Sequence, residues 1–192
     1  MIISEWYERR RLQLLARYGA GKTILDVGYS QLPNPFFDPS SHVVGIDLVP
    51  PPEDCSYQET IVGDATEISS LLPGRQFDAI VCGELIEHLE EPYSFLRALR
   101  PALAPGGTLV VSTPNPLAFP VILAEITRSR SRFYTEDHTF YYLPRWTERM
   151  INRSGYELVR TAPVGLWNPW FPVRWAPVWM SYQLIYVAHP QS

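Results

Sequence analysis

The sequence is poor in cysteine. It holds two, Cys55 and Cys82, too few for a disulfide framework, and that scarcity fits a reducing compartment and a cytoplasmic protein. No secretory leader is expected, because Met1-Ile2-Ile3 passes at once into Ser4-Glu5 and then the basic run Arg9-Arg10-Arg11. No apolar stretch is long enough to span a bilayer; the nearest, residues 161–188, is broken by Asn168, Arg174 and four prolines. Positive charge is not in excess. The net charge is −4, which argues against a nucleic-acid-binding surface. Repeats, low-complexity tracts and a linker that would split off a second unit are also missing. Residues 1–192 therefore read as one domain, long enough to bury a sizeable core.

Proline is plentiful, and its clusters at 33–39, 50–52, 114–120 and 163–177 read as stiff loops. Between them the apolar pattern alternates. Ser4 caps a helix over 5–18 that stops at Gly19. Tyr7, Leu14, Leu15 and Tyr18 fall on its inner stripe, and Arg9–Arg11 reads as a solvated face, with phosphate binding as the minor option. Strands follow at 23–27, 42–46, 57–62, 77–82 and 108–112, separated by helical patterns at 65–72 and from 84 onwards, with a break at Glu91-Pro92. Helices are also predicted over 117–128 and 144–154, and two last strands over 156–161 and 182–188. This predicts an α/β fold, a largely parallel sheet with helices on both faces.

The chemistry lies in the acids. Asp26, Asp47, Asp64 and Glu84 each stand at or just past the end of one of four consecutive strands. Right-handed crossovers place those ends along one edge, where open α/β sheets bind ligands. A lone Asp there is most simply a helix cap or a turn residue; four in succession suggest a rim of acceptors for a donor-rich, cationic ligand. Gly28, after the first strand, lets the chain turn and a ligand approach the backbone.

Ile24-Leu25-Asp26-Val27-Gly28, Val44-Gly45-Ile46-Asp47, Gly63-Asp64-Ala65 and Phe77-Asp78-Ala79-Ile80-Val81 resemble the successive motifs of class I S-adenosylmethionine-dependent methyltransferases. Glu84-Leu85-Ile86-Glu87-His88-Leu89-Glu90-Glu91-Pro92, with Leu103 to Leu109 and Ser112-Thr113-Pro114-Asn115, is similar to the small-molecule O-methyltransferase branch that includes the ubiquinone-biosynthesis enzymes. The resemblance implies a Rossmann-like three-layer sandwich whose seven-stranded sheet ends in an antiparallel hairpin, and S-adenosylmethionine as cofactor. It implies that Asp47 accepts from the ribose hydroxyls and that Asp64 accepts from the adenine amino group, with Leu48 and Ala65 beside the ring. Gly28 would let the methionine part approach the backbone, with Asp26, Tyr29 and Ser30 also binding the cofactor, and Cys82, Gly83 and Glu84 would line the wall beside the sulfonium and its amino group. Cys82 also has a rival reading as a small buried hydrophobe.

The sequence departs from the family where two further glycines are usual: Ser30 and Leu32 stand there, and Pro33 follows. The same lack tells against a nicotinamide enzyme, whose pyrophosphate needs a glycine-rich turn. Implied is in-line displacement of an activated methyl group onto a small-molecule acceptor, with a hydroxyl expected. His88 and His138 are the candidate bases, each with a structural alternative. Metal use among quinone O-methyltransferases adds Glu84, Glu87 and His88 as an optional divalent-ion set, against the simpler reading of a solvated cluster. Segments 114–143 and 162–180 are expected near the acceptor. Their aromatics, Trp167, Trp170, Phe171, Trp175 and Trp179 with Phe119, Phe133, Tyr134, Phe140 and Tyr141, suit a wall for an aromatic or apolar acceptor, a dimer surface, or plain cover for the sheet edge. The alternative to an enzyme is a degenerate methyltransferase fold that binds cofactor or a partner without turnover.

Overall fold

The structure is a computed structural model that describes residues 5–127, 138–166 and 175–191. Its sheet has seven strands in the order β3-β2-β1-β4-β5-β7-β6. The strands are β1 (Thr23–Val27), β2 (His42–Asp47), β3 (Glu59–Val62), β4 (Phe77–Gly83), β5 (Leu103–Pro114), β6 (Tyr156–Pro163) and β7 (Gln183–Pro190). The first five run parallel, and β7 lies antiparallel between β5 and β6. The predicted parallel sheet with its antiparallel C-terminal pair is present.

The strands alternate faces with period two. Leu25, Ile80, Cys82, Leu109, Val111, Leu184 and Tyr186 enter one buried cluster, where Phe95, Leu96 and Leu99 of α3 (Pro92–Leu99) and Met150 and Ile151 of α5 (Pro144–Arg153) meet them. Ile24, Ala79, Val81, Val110, Ile185 and Val187 face the other way, onto Tyr7, Leu12 and Leu15 of α1 (Glu5–Tyr18). These are the two apolar faces that a parallel sheet must cover on both sides. The short α2 (Ile68–Leu71) packs with the first cluster through Ile68. No helix among the described residues is long and apolar enough to cross a membrane.

Several expected elements differ: β3 begins at Glu59 rather than 57, and β5 runs over Leu103–Pro114 rather than 108–112. The helix expected from residue 84 is only a 3-10 turn, Ile86–His88, because Glu84 sits at φ 54°, a left-handed conformation no helix can start from. The helix expected over 117–128 begins later, as α4 (Phe119–Ile126). The Asn115 carboxamide holds the chain open there by accepting from the Leu117 N–H at 3.1 Å. Of the expected aromatic wall, Phe133, Tyr134, Trp167, Trp170 and Phe171 lie outside the described residues. Trp175 and Trp179 are exposed, as are Phe119 and Phe140.

Candidate active site

The order β2-β1-β4 puts a topological switch between β1 and β4, and a cavity of about 680 Å³ opens at the carboxyl ends of these strands. Asp26, Gly28, Tyr29, Asp47, Leu48, Gly83, Glu84, His88 and His138 all line it. Four other residues predicted to meet the cofactor do not. Ser30 is turned into the loop, where its N–H donates to Asp47 Oδ2 at 2.8 Å and its hydroxyl to the Val49 carbonyl at 2.9 Å. Asp64 and Ala65 follow β3 at the neighbouring strand end. The Asp64 carboxylate accepts from the Thr66 N–H and hydroxyl, both at 2.8 Å, and these bonds hold its pKa below the usual carboxylate range. The Cys82 thiol is fully buried in the core, as its rival reading has it, and burial pushes its pKa well up.

Gly28 has φ 75° and donates to the Ile46 carbonyl at 2.9 Å, which pins the turn to β2. Asp26 is 6% exposed. Burial pushes its carboxyl up to about 7, against the pull of the Tyr57 hydroxyl that donates to it and of the Arg11 guanidinium.

Arg11 corrects the reading of the Arg9–Arg11 run. Its side chain is buried, bonded to Glu8 at 2.6 Å and part of the cavity wall. Of the three, only Arg9 is exposed, and it lies over the Phe36 ring, 4.9 Å from the centroid. The signal was present in the spacing: 7, 11, 14/15 and 18 form one helical stripe, and Arg11 stands on it. Burial alone would lower its pKa, but Glu84 and Glu8 outweigh that and raise it, so among the described residues Arg11 is the fixed cation beside the cavity's acids.

Glu84 is held in its left-handed conformation by its surroundings. Its N–H donates to the Ser112 carbonyl at 3.0 Å, and its carboxylate accepts from the Ser112 hydroxyl at 2.9 Å and from Gln183 Nε2 of β7 at 2.7 Å. Burial raises its pKa in spite of Arg11. Glu87 is completely buried. One oxygen accepts from the Thr113 hydroxyl at 3.1 Å, and the other, Oε1, has no hydrogen-bond partner among the described residues. Burial, and then Glu84, push its pKa well above the carboxylate range. The Glu87 carbonyl accepts from the Thr139 and Phe140 N–H groups, each at 3.0 Å, which docks the next segment. That brings His138 to His88 with ring centroids 4.8 Å apart, and the Tyr141 hydroxyl bonds His138 Nδ1 at 2.8 Å. Glu87, His88 and His138 each offer a ligand atom within 4.8 Å of the others. The set containing Glu84 is not the one brought together; His138 takes that place, since Ser112 and Gln183 engage the Glu84 carboxylate. An imidazole pair with a buried carboxylate is a donor set that suits a divalent transition metal.

The profile of the methyltransferase domain family matches residues 4–161. The ubiquinone biosynthesis O-methyltransferase of Aeromonas salmonicida is 31% identical over 153 residues, 70% of this chain and 63% of its own length. That of Dechloromonas aromatica is 31% identical over 162 residues, 73% of this chain and 68% of its own length. The chain thus spans a little under two-thirds of the length of the Aeromonas relative. Among solved structures, the 1,6-didemethyltoxoflavin-N1-methyltransferase of Burkholderia thailandensis, with bound 1,6-didemethyltoxoflavin and S-adenosylhomocysteine, superposes with a TM-score of 0.68 at 15% identity, covering 98% of this chain and 80% of its own. The sheet order, the acid-rimmed cavity at the switch point and these matches converge: the chain belongs to the methyltransferase domain family, of the class I S-adenosylmethionine-dependent kind.

Proposed function

We propose that this chain transfers a methyl group from S-adenosylmethionine to a hydroxyl of a small-molecule acceptor. One observation carries the reading: a single cavity is lined both by Asp26, Gly28 and Asp47 and by His88 and His138. The cofactor, when bound, supplies a methyl carbon already activated by the sulfonium, so the protein's task is positioning. The Asp47 carboxylate has lone pairs left for the ribose hydroxyls after accepting from the Ser30 and Val49 N–H groups. Asp26 and Glu84 supply negative charge for the amino group, and Arg11 is the cation for the carboxylate. His138, oriented by Tyr141, takes the proton of the acceptor hydroxyl, a role that contributes roughly 10²–10⁴-fold in such reactions.

A divalent cation on Glu87, His88 and His138 is the second reading of the acceptor side, favoured by Glu87 Oε1, which no described residue engages. It would polarise an acceptor oxygen. The relatives' names support an oxygen acceptor, and Leu85 and the docked aromatic segment support an apolar one.

The test has three arms. S-adenosylhomocysteine should raise the melting temperature by mass action, and no shift at millimolar ligand counts against the cofactor. His138→Ala should lower turnover on a phenolic acceptor while leaving S-adenosylhomocysteine affinity unchanged. Cobalt(II) should give a visible absorption band that His138→Ala removes if the metal reading holds. Cofactor binding without turnover on any phenol, amine or carboxylate would favour the binding-module alternative.

A further inference from the structure

The turn after β1 carries Ser30 and Leu32, and Ser30 ties it to Asp47 and Val49. The loop that follows walls the cavity, through Leu32 and Asn34. Its contacts converge on Tyr57, ahead of β3. The Tyr57 hydroxyl donates to Asp26 Oδ2 and accepts from the Asn34 N–H at 2.7 Å. Its ring lies against Tyr29, at 5.0 Å between centroids, and Phe37, at 6.1 Å. Asn34 is buried and carries the chain of bonds onward: its Nδ2 donates to the Leu12 carbonyl of α1 at 2.9 Å, and its Oδ1 accepts from the Phe36 N–H at 3.0 Å. Leu12, Glu8 and Arg11 form the α1 wall of the same cavity.

We propose that Tyr57 is a positioning residue for the cofactor half of the site, its hydroxyl tying loop 29–39 and helix α1 to the Asp26 carboxylate. The proposal rests on reading the cavity as a cofactor site. A hydroxyl donates and accepts at once, so one group satisfies both a buried carboxylate and a buried N–H. Removing it leaves each a partner short, the expensive direction of the exchange. It also withdraws a bond that favours the ionised form of Asp26. The groups facing that carboxyl are Tyr57 itself, Arg11 from α1, Asp47 from β2 and Cys82 from β4. Without the Tyr57 donor, Asp26 takes up its proton at higher pH.

Tyr57→Phe keeps the ring and removes the hydroxyl. Amide hydrogen exchange reads the tie with no ligand present. In the parent protein Asn34 should exchange slowly although its loop has no regular structure, and in Tyr57→Phe about tenfold faster or more, with β4 and β5 unchanged. Titration with S-adenosylhomocysteine reads the consequence: affinity falls about tenfold at pH 8, and the pH below which affinity is lost moves upward. Asp26→Asn retains an acceptor for Tyr57 and removes the titrating group. It should keep Asn34 slow and flatten the pH dependence, and it decides the matter if Tyr57→Phe does not fold. Unchanged Asn34 exchange in Tyr57→Phe overturns the proposal. So does fast exchange in Asp26→Asn, or a loss of affinity equal at every pH, which a merely loosened fold would give. A parent protein that exchanges slowly at Asn34 but binds no S-adenosylhomocysteine overturns the cofactor reading instead, and with it the proposed role of the tie.

Discussion

Asp26 keeps its proton to about pH 7 in the fold, because burial outweighs Tyr57 and Arg11. The unfolded chain releases that proton at the ordinary carboxylate value. Between the two values the native state holds more protons, so stability falls as pH rises. The contribution of this group is fully present below the ordinary value and is lost as pH climbs through about 7. Asp26→Asn should therefore raise the melting temperature at pH 8 and change it little at pH 4, a comparison that differential scanning calorimetry makes directly. Asp47 is the other residue whose removal separates binding from folding. If its carboxylate accepts two ribose hydroxyls, Asp47→Ala loses charge-assisted bonds of about 1.5–3 kcal/mol each. The S-adenosylhomocysteine dissociation constant should then rise at least tenfold, with circular dichroism unchanged. An unaltered constant would remove Asp47 from the site.

Strands were the easiest elements to read, because β-branched and apolar runs ending in Asp or Gly announce both the strand and its loaded edge. The misreadings at Glu84 and Tyr57 share a cause: one side chain overrides the local pattern through distant partners. Glu84 looked like the first residue of a helix, yet Ser112 and Gln183, remote in sequence, hold it left-handed. Tyr57 looked like the start of a strand, but its hydroxyl goes to Asp26 and its strand begins at Glu59. Arg11 could have been found by giving its stripe position more weight than its charge. The meeting of His88 with His138 could not, since the Thr139 and Phe140 N–H bonds that dock the second segment are backbone bonds with no sequence signature. Gly45 shows the same coupling between elements. A Cβ there would lie 2.4 Å from the Tyr29 ring, so β2 leaves room for the side chain that anchors the turn after β1. Gly45→Ala should cost about 1–3 kcal/mol by overpacking, read as a lower denaturant midpoint at constant m. It should also weaken S-adenosylhomocysteine binding, because Tyr29 cannot move without the turn.

At the scale of the whole molecule, the sheet order separates the site's parts widely in sequence. Arg11 comes from α1, Asp26 and Asp47 from β1 and β2, Glu84 from the turn after β4, and the Gln183 that holds it from β7. β7 is the last described strand in the chain yet lies inside the sheet, between β5 and β6. On a ribosome, β1 to β5 emerge first and can pair among themselves, but β5 stays an open edge and β6 has no neighbour until residues 183–190 leave the exit tunnel. Until then Glu84 lacks the Gln183 amide that engages its carboxylate. A chain halted before Gln183 should carry nearly every residue of the cavity and still be unable to bind S-adenosylhomocysteine, and its bare strand edge should drive it into aggregates. If the cavity is the cofactor site, order of synthesis then sets order of competence: the site is completed only when β7, the last described strand, has been translated and inserted between β5 and β6.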